Sequence, residues 1–162
     1  MNPDGKGTVI LQNSKIDDGA KSVSSKENIL VINIFSTKMI NAAGFLMSVF
    51  EICSRNNVSV GLISTSEANI SVTVDASQDI DKVIEELSSF AEVYVDRDKA
   101  QVSVIGKNLD NVTGILEKTF APLRDYKIYM ISQGASYVNI SFIVDRSAMD
   151  TVVSPLHKSP FT

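Results

Sequence analysis

The chain has 162 residues and a formal net charge of −4, with a pI near 4.9. That length suits one ordinary domain or two small modules, and the acidic balance argues against a nucleic-acid binder, which carries a basic footprint. Apolar residues at 44% permit a packed core, and the single cysteine excludes an intrachain disulfide framework.

Taken in chain order, residues 1–27 are polar, with GTVIL and AKSVSS as the strand-like pieces. The opening MNPDGKGTVI lacks the basic and long apolar regions of a signal peptide. No apolar run approaches the ~18 residues of a membrane span. The expected compartment is therefore the cytoplasm, or an organelle interior if a transit peptide lies upstream. NILVINIF, residues 28–35, reads as a strand. After a loop over 37–43, GFLMSVFEICSRNN reads as a helix, with Phe45, Leu46, Val49, Ile52 and Cys53 on one face. Cys53 in this setting reads as a small buried hydrophobe.

VSVGLIS and ANISVTVD follow as β-branched strands joined through Thr65, Ser66 and Glu67. Residues 79–90 form a helix with Ile80, Val83, Ile84 and Leu87 inward, and Lys82–Glu86 as a surface pair. AEVYVDR is the next strand, which completes one β-α-β-β-α-β pass. A second pass begins at AQVSVIG. It continues through a helix over 110–124 that Pro122 loosens, the strands KIYMIS and YVNISFIVD, and a last helix interrupted at Pro155.

The two passes repeat each other in sequence: LIS returns as MIS, and NISVTVD as NISFIVD. The second pass lacks a fourth strand, which a ferredoxin-like sheet needs, so GTVIL or AKSVSSKEN is expected to return and supply it. The expected architecture is α+β: two ferredoxin-like βαββαβ modules, the first inserted in the second, with antiparallel sheets side by side. The divisions are 1–27 as a leading segment, 28–98 as the first module and 99–162 as the second. NILVINIF and QVSVIG are expected to be edges that need covering.

No catalytic or metal constellation stands out. His157 reads as a surface or packing residue, since the sequence sets no cysteine or carboxylate at metal-ligand spacing from it, and Gly5 and Gly7 lack the strand-loop-helix context of a phosphate cradle. Acylphosphatases share the layout, but their phosphate loop and arginine are not visible here. RNA-recognition modules share it too, but they need aromatics where these strands carry Ile, Val and Ser. A better candidate is the loop running into the helix at Gly44, where free backbone N–H groups and the positive dipole end suit a carboxylate.

GFL-x2-VF, then LISTSE, then MISQGAS-x-VNIS together resemble the paired ACT domains of aspartokinase regulatory regions, along about Asn2 to Phe161. NPDGKGTVI looks like the end of that family's catalytic domain, and its Lys-Phe-Gly-Gly-Thr kinase segment does not appear in this chain.

The resemblance implies a regulatory region without catalysis of its own, with ATP and magnesium confined to the parent kinase domain. The implied partners are that kinase domain, a second copy in a homodimer, and an end-product amino acid, lysine or threonine; a plant source would place it in a plastid. It implies effector contacts at Met39, Gly44, Phe45 and Leu46 on one wall and Thr65, Ser66 and Glu67 on the other. Gln133, Gly134, Asn111 and Gly114 hold the corresponding places in the second module. Where many amino-acid-sensitive relatives carry an aspartate and a serine, this chain has Gly61 and Ala42. Aspartate at 61 is accordingly expected to strengthen binding of an amine. A ligand-insensitive dimerisation pair and a free-standing ACT-pair protein stay open as alternatives.

Overall fold

The computed structural model describes residues 18–36, 44–134 and 138–157. They form β1 (Gly19–Phe35), α1 (Phe45–Arg55), β2 (Val60–Thr65), β3 (Asn69–Asp75), α2 (Asp81–Ser88), β4 (Glu92–Lys107), α3 (Ile115–Phe120), β5 (Met130–Gln133), β6 (Asn139–Asp145) and α4 (Met149–Leu156). One six-stranded sheet runs β2-β3-β1-β4-β6-β5, antiparallel at every pairing.

β1 and β4 each serve both modules within that one sheet, which is why they far exceed the usual five or six residues. Ile29–Phe35 pairs with β3, and Ala20–Lys26 pairs with the far half of β4. The first module is thus β2-β3-β1-β4, and the second is β1-β4-β6-β5, each in the ferredoxin-like order. AKSVSS does return to complete the second sheet. The sequence reading separated AKSVSS from NILVINIF and AEVYVDR from AQVSVIG, whereas the structure joins each pair into one strand. The joints lie at Asn28 (φ 58°) and Asp98 (φ 54°), where register shifts interrupt the ladder at Lys26/Ile29 and Ile29/Val31. Asn and Asp tolerate the left-handed region better than other side chains, so the strands crease there and continue.

Two cores result. Leu30, Ile32, Ile34, Val72, Val83 and Leu87 belong to the first; Val102, Val104, Phe142, Val144, Val152 and Leu156 belong to the second. A third patch joins the opposite sheet faces through Ile29, Val31, Met130 and Ile143, with Leu62 and Tyr129 packed on it. It draws β2 toward β5, where the Ser132 hydroxyl donates to the Ile63 carbonyl at 3.4 Å.

Several expectations are corrected. NILVINIF and QVSVIG are interior, not edges: the first lies between β3 and β4 and the second between β1 and β6. Leu46, assigned to the buried face of its helix, is 42% exposed, because it turns outward with Met47 in the first turn of α1. The third helix is shorter than expected: Ile115–Phe120, with 3-10 turns before it at Leu109–Asn111 and after it at Ala121–Leu123, the latter containing Pro122. Glu86 turns from Lys82 to α1, pairing with Arg55 and accepting from the Asn56 amide at 3.0 Å. Cys53 is buried, and burial pushes its thiol pKa up.

Candidate functional site

The first module offers two places where backbone and side chains converge, one at each end of β2. At the first, β1 ends at Phe35 and α1 begins after Gly44. Gly44 has φ 93° and gives α1 no side-chain cap, nor is there an acidic residue in the first turn. Among the described residues, the cap therefore supplies no side-chain partner to the first-turn N–H groups, while the Gly44 carbonyl accepts from Ser48 N at 3.0 Å. Phe45 turns inward against Phe90, ring centroids 5.7 Å apart; Leu46 and Met47, the latter 71% exposed, turn outward.

The β2–β3 turn lies at the same end of the module, since Ser36 N donates to the Ala68 carbonyl at 3.0 Å. Thr65 closes β2 opposite Ile70 and is exposed, as are Ser66 and Glu67. Ser66 is occupied by the turn itself: its hydroxyl meets Asn69 Oδ1 at 2.6 Å and its N–H donates to the Asn69 carbonyl. The topology thus brings Gly44, Phe45 and Leu46 to the same end as Thr65, Ser66 and Glu67. Met39 and Ala42 lie outside the described residues.

Gly61 does not join them. It stands four residues along β2 from Thr65, roughly 13 Å at strand rise, beside a cleft of about 210 Å³ at the crease between the modules. Lys26 and Gln101 line this cleft from one side, and Thr73 and Asp75 from the other. Lys26 Nζ is 3.1 Å from Asp75. The Asp75 carboxyl is held down to about 2, first by hydrogen bonds from the Ser77 hydroxyl and backbone and then by Lys26.

A Cβ at position 61 would come within 2.8 Å of Thr73 Oγ1, the atom that accepts the Leu62 N–H at 2.7 Å. An aspartate enters here only if Thr73 rotates and gives up that bond. The simple expectation for position 61 therefore changes: the substitution perturbs the β2–β3 ladder as well as adding charge.

The second module repeats the helix start: Gly114, at φ 78°, caps α3 as Gly44 caps α1. Its crease is built differently. Lys99, only 7% exposed, reaches Asp145 at 2.9 Å. The Tyr129 hydroxyl donates to the same carboxylate at 2.9 and 3.2 Å. Lys99 and Lys127 each lie 4.2 Å from the Tyr129 ring centroid. Asp145 is held below the usual carboxylate range by Lys99 and, less, by Tyr129, against the opposing effect of burial. Burial draws the Lys99 ammonium down, but Asp145 overrides it, so its net shift is upward. Sequence reasoning missed this group; the signal available was Tyr129, one residue before MIS, where the first copy has glycine before LIS.

Among the described residues no group of three or more His, Cys, Asp or Glu is placed to hold a metal ion, and no helix is long and apolar enough to cross a membrane. The features that stand out are open backbone at a helix start and a small charged cleft, which suit reversible binding of a small polar molecule.

Comparison with known proteins agrees with this layout. Residues 32–89 and 102–159 each match the ACT domain. Chloroplastic aspartokinase 1 of Arabidopsis thaliana is 39% identical over 99% of this chain and 30% of its own length. E. coli aspartokinase III, solved in complex with lysine and aspartate, superposes with a TM-score of 0.84 at 31% identity, over 99% of this chain and 37% of that one. The regulatory subunit of aspartate kinase from Thermus thermophilus shares the fold, with a TM-score of 0.75 at 18% identity over 98% of its length. The chain spans about a third of the length of the curated relatives it matches. It belongs to the ACT-domain family, as a tandem pair of the kind found in the regulatory regions of aspartokinases.

Proposed function

We propose that the chain is the allosteric regulatory region of an aspartokinase, an enzyme that phosphorylates L-aspartate with ATP at the head of lysine, threonine and methionine synthesis. In this reading residues 1–27 are the tail of the kinase domain, supplying a strand to the second module, and 28–98 and 99–162 are the two ACT modules. ATP and magnesium belong to the kinase domain. The region works in the cytoplasm, or in a plastid as the chloroplastic relative's name indicates for that protein.

An end-product amino acid, lysine or threonine, binds at the α1 start of the first module. Met39, Gly44, Phe45 and Leu46 form one wall and Thr65, Ser66 and Glu67 the other. A second copy pairs through the ACT modules. The effector favours whichever arrangement holds the kinase inactive, by no more than its difference in affinity for the two states.

The observation that carries this reading is the match of 99% of this chain to 37% of an aspartokinase solved in complex with lysine and aspartate. Titration calorimetry of the chain against lysine, threonine, methionine and S-adenosylmethionine tests it. Heat from lysine or threonine, abolished by Leu46→Asp, is the expected result. No heat from any of the four at about 10 mM, well above a millimolar Kd, would sink the effector assignment. A specific feature of the candidate site favours a second reading, a dimerisation pair without ligand response: the Ser66 hydroxyl and N–H are both taken up by Asn69 within the turn.

A further inference from the structure

The internal repeat holds along the paired ends of both hairpins, although β2 carries a register shift between Val60 and Ile63 that has no counterpart in the β5 pairing. Ile63, Ser64 and Thr65 oppose Val72, Ser71 and Ile70, as Ile131, Ser132 and Gln133 oppose Phe142, Ser141 and Ile140. Ile29 opposes Asp75, as Lys99 opposes Asp145. The alignment places Gly61 on Tyr129 and Asp75 on Asp145.

In the first module the space beside position 61 is the open cleft of about 210 Å³. In the second the corresponding residue, Tyr129, fills its own surroundings. Its hydroxyl donates to Asp145, Lys99 and Lys127 lie over its ring, and it packs on the apolar patch of Met130 and Ile143. An acceptor carboxylate, cations over an aromatic face and an apolar floor together make a site complementary to a phenol.

We infer that Tyr129 is a built-in occupant of the second module's slot. The first module therefore has a cleft beside position 61 where the second has a place filled by Tyr129, and removing the Tyr129 side chain creates a latent site for a phenol. The occupant also fixes the crease, because Lys99 and Asp145 lie on strands β4 and β6 while Tyr129 precedes β5. The inference does not rest on the effector reading above: its probe is p-cresol, so amino-acid calorimetry can fail without touching it.

The test is thermal unfolding of the wild-type chain and Tyr129→Gly with and without p-cresol, the missing side chain as a free molecule. Tyr129→Gly should melt about 5 °C or more below wild type. p-Cresol should raise its melting point saturably, with one equivalent bound per chain, and leave wild type unmoved. Toluene, which has no hydroxyl for Asp145, should bind Tyr129→Gly about tenfold more weakly. An equal p-cresol shift in both proteins, or none in a Tyr129→Gly chain that circular dichroism shows to be folded, overturns the inference.

If Tyr129→Gly does not fold, Tyr129→Phe decides. It keeps the ring and loses the hydrogen bond to Asp145, so its acid unfolding should begin at higher pH than wild type. Coincident acid curves would overturn the inference.

Discussion

The two modules follow one strand pattern and differ where they meet. At the crease the first has Ile29, Gly61 and a Lys26–Asp75 pair whose lysine side chain is 57% exposed. The second has Lys99, Tyr129 and a Lys99–Asp145 pair whose lysine side chain is 9% exposed. The first is open to solvent; the second is closed by its own side chains. One sheet pattern can therefore carry either an open cleft or a joint fixed by its own side chains.

A second contrast lies at the other end of the sheets. Ser36 and Gly106 are equivalent, each donating its N–H to the carbonyl before the final strand of its hairpin, at Ala68 and Val138. Gly106 faces Ala20 of β1, and a Cβ there would meet the Gly19 carbonyl at 2.3 Å and the Ala20 Cα at 2.9 Å. Gly106→Ala should therefore cost about 1–3 kcal/mol, read by urea unfolding, while Ser36→Ala should cost under about 1 kcal/mol. Equal costs would break the claim that the N-terminal strand closes over the second module alone.

The next effect separates the two ion pairs. Lys99→Met should destabilise by about 1–2 kcal/mol, since it strips a charge-assisted hydrogen bond from Asp145. Lys26→Met should fall within about 0.5 kcal/mol, as exposed pairs do. A Lys26→Met loss as large as that of Lys99→Met would erase the distinction between an open and a closed crease.

The smallest effect is in pH. Asp75 and Asp145 both have folded pKa values below the unfolded ~3.9. Their contributions are in place above that value and fade as pH falls through the folded pKa, which for Asp75 is about 2. Lys99 is shifted upward, so its contribution is present below the unfolded ~10.4 and fades only as pH rises through the folded value. Wild type should lose stability below about pH 4, and Asp145→Asn should flatten that slope. An unchanged acid slope in Asp145→Asn would mean that Asp145 carries none of it.

Much of this protein was legible in its residues. The helical faces of Val49, Ile52 and Cys53, and of Val83 and Leu87, were read correctly, as were the NIS strands and the need for a strand from the N-terminal segment. These are matters of periodicity and counting, which local sequence carries. The strand joints at Asn28 and Asp98 were not legible, because a left-handed residue inside a strand looks like a turn until both neighbours are seen to keep pairing. The placement of Gly61 was missed for a related reason. Sequence put it beside LISTSE and so near the helix start, but strand rise carries it to the far end of β2.

By itself, then, the sequence determined the kind of unit, its duplication and the apolar face of most elements, because each depends on neighbours a few residues away. Tertiary structure alone decided which strands are interior, which carboxylate Lys99 neutralises, and that a cleft lies beside Gly61 while Tyr129 is packed into its own crease. Those outcomes depend on groups far apart in the chain, Lys99 and Asp145 or Gly61 and Thr73, that only the folded sheet brings within a few ångströms.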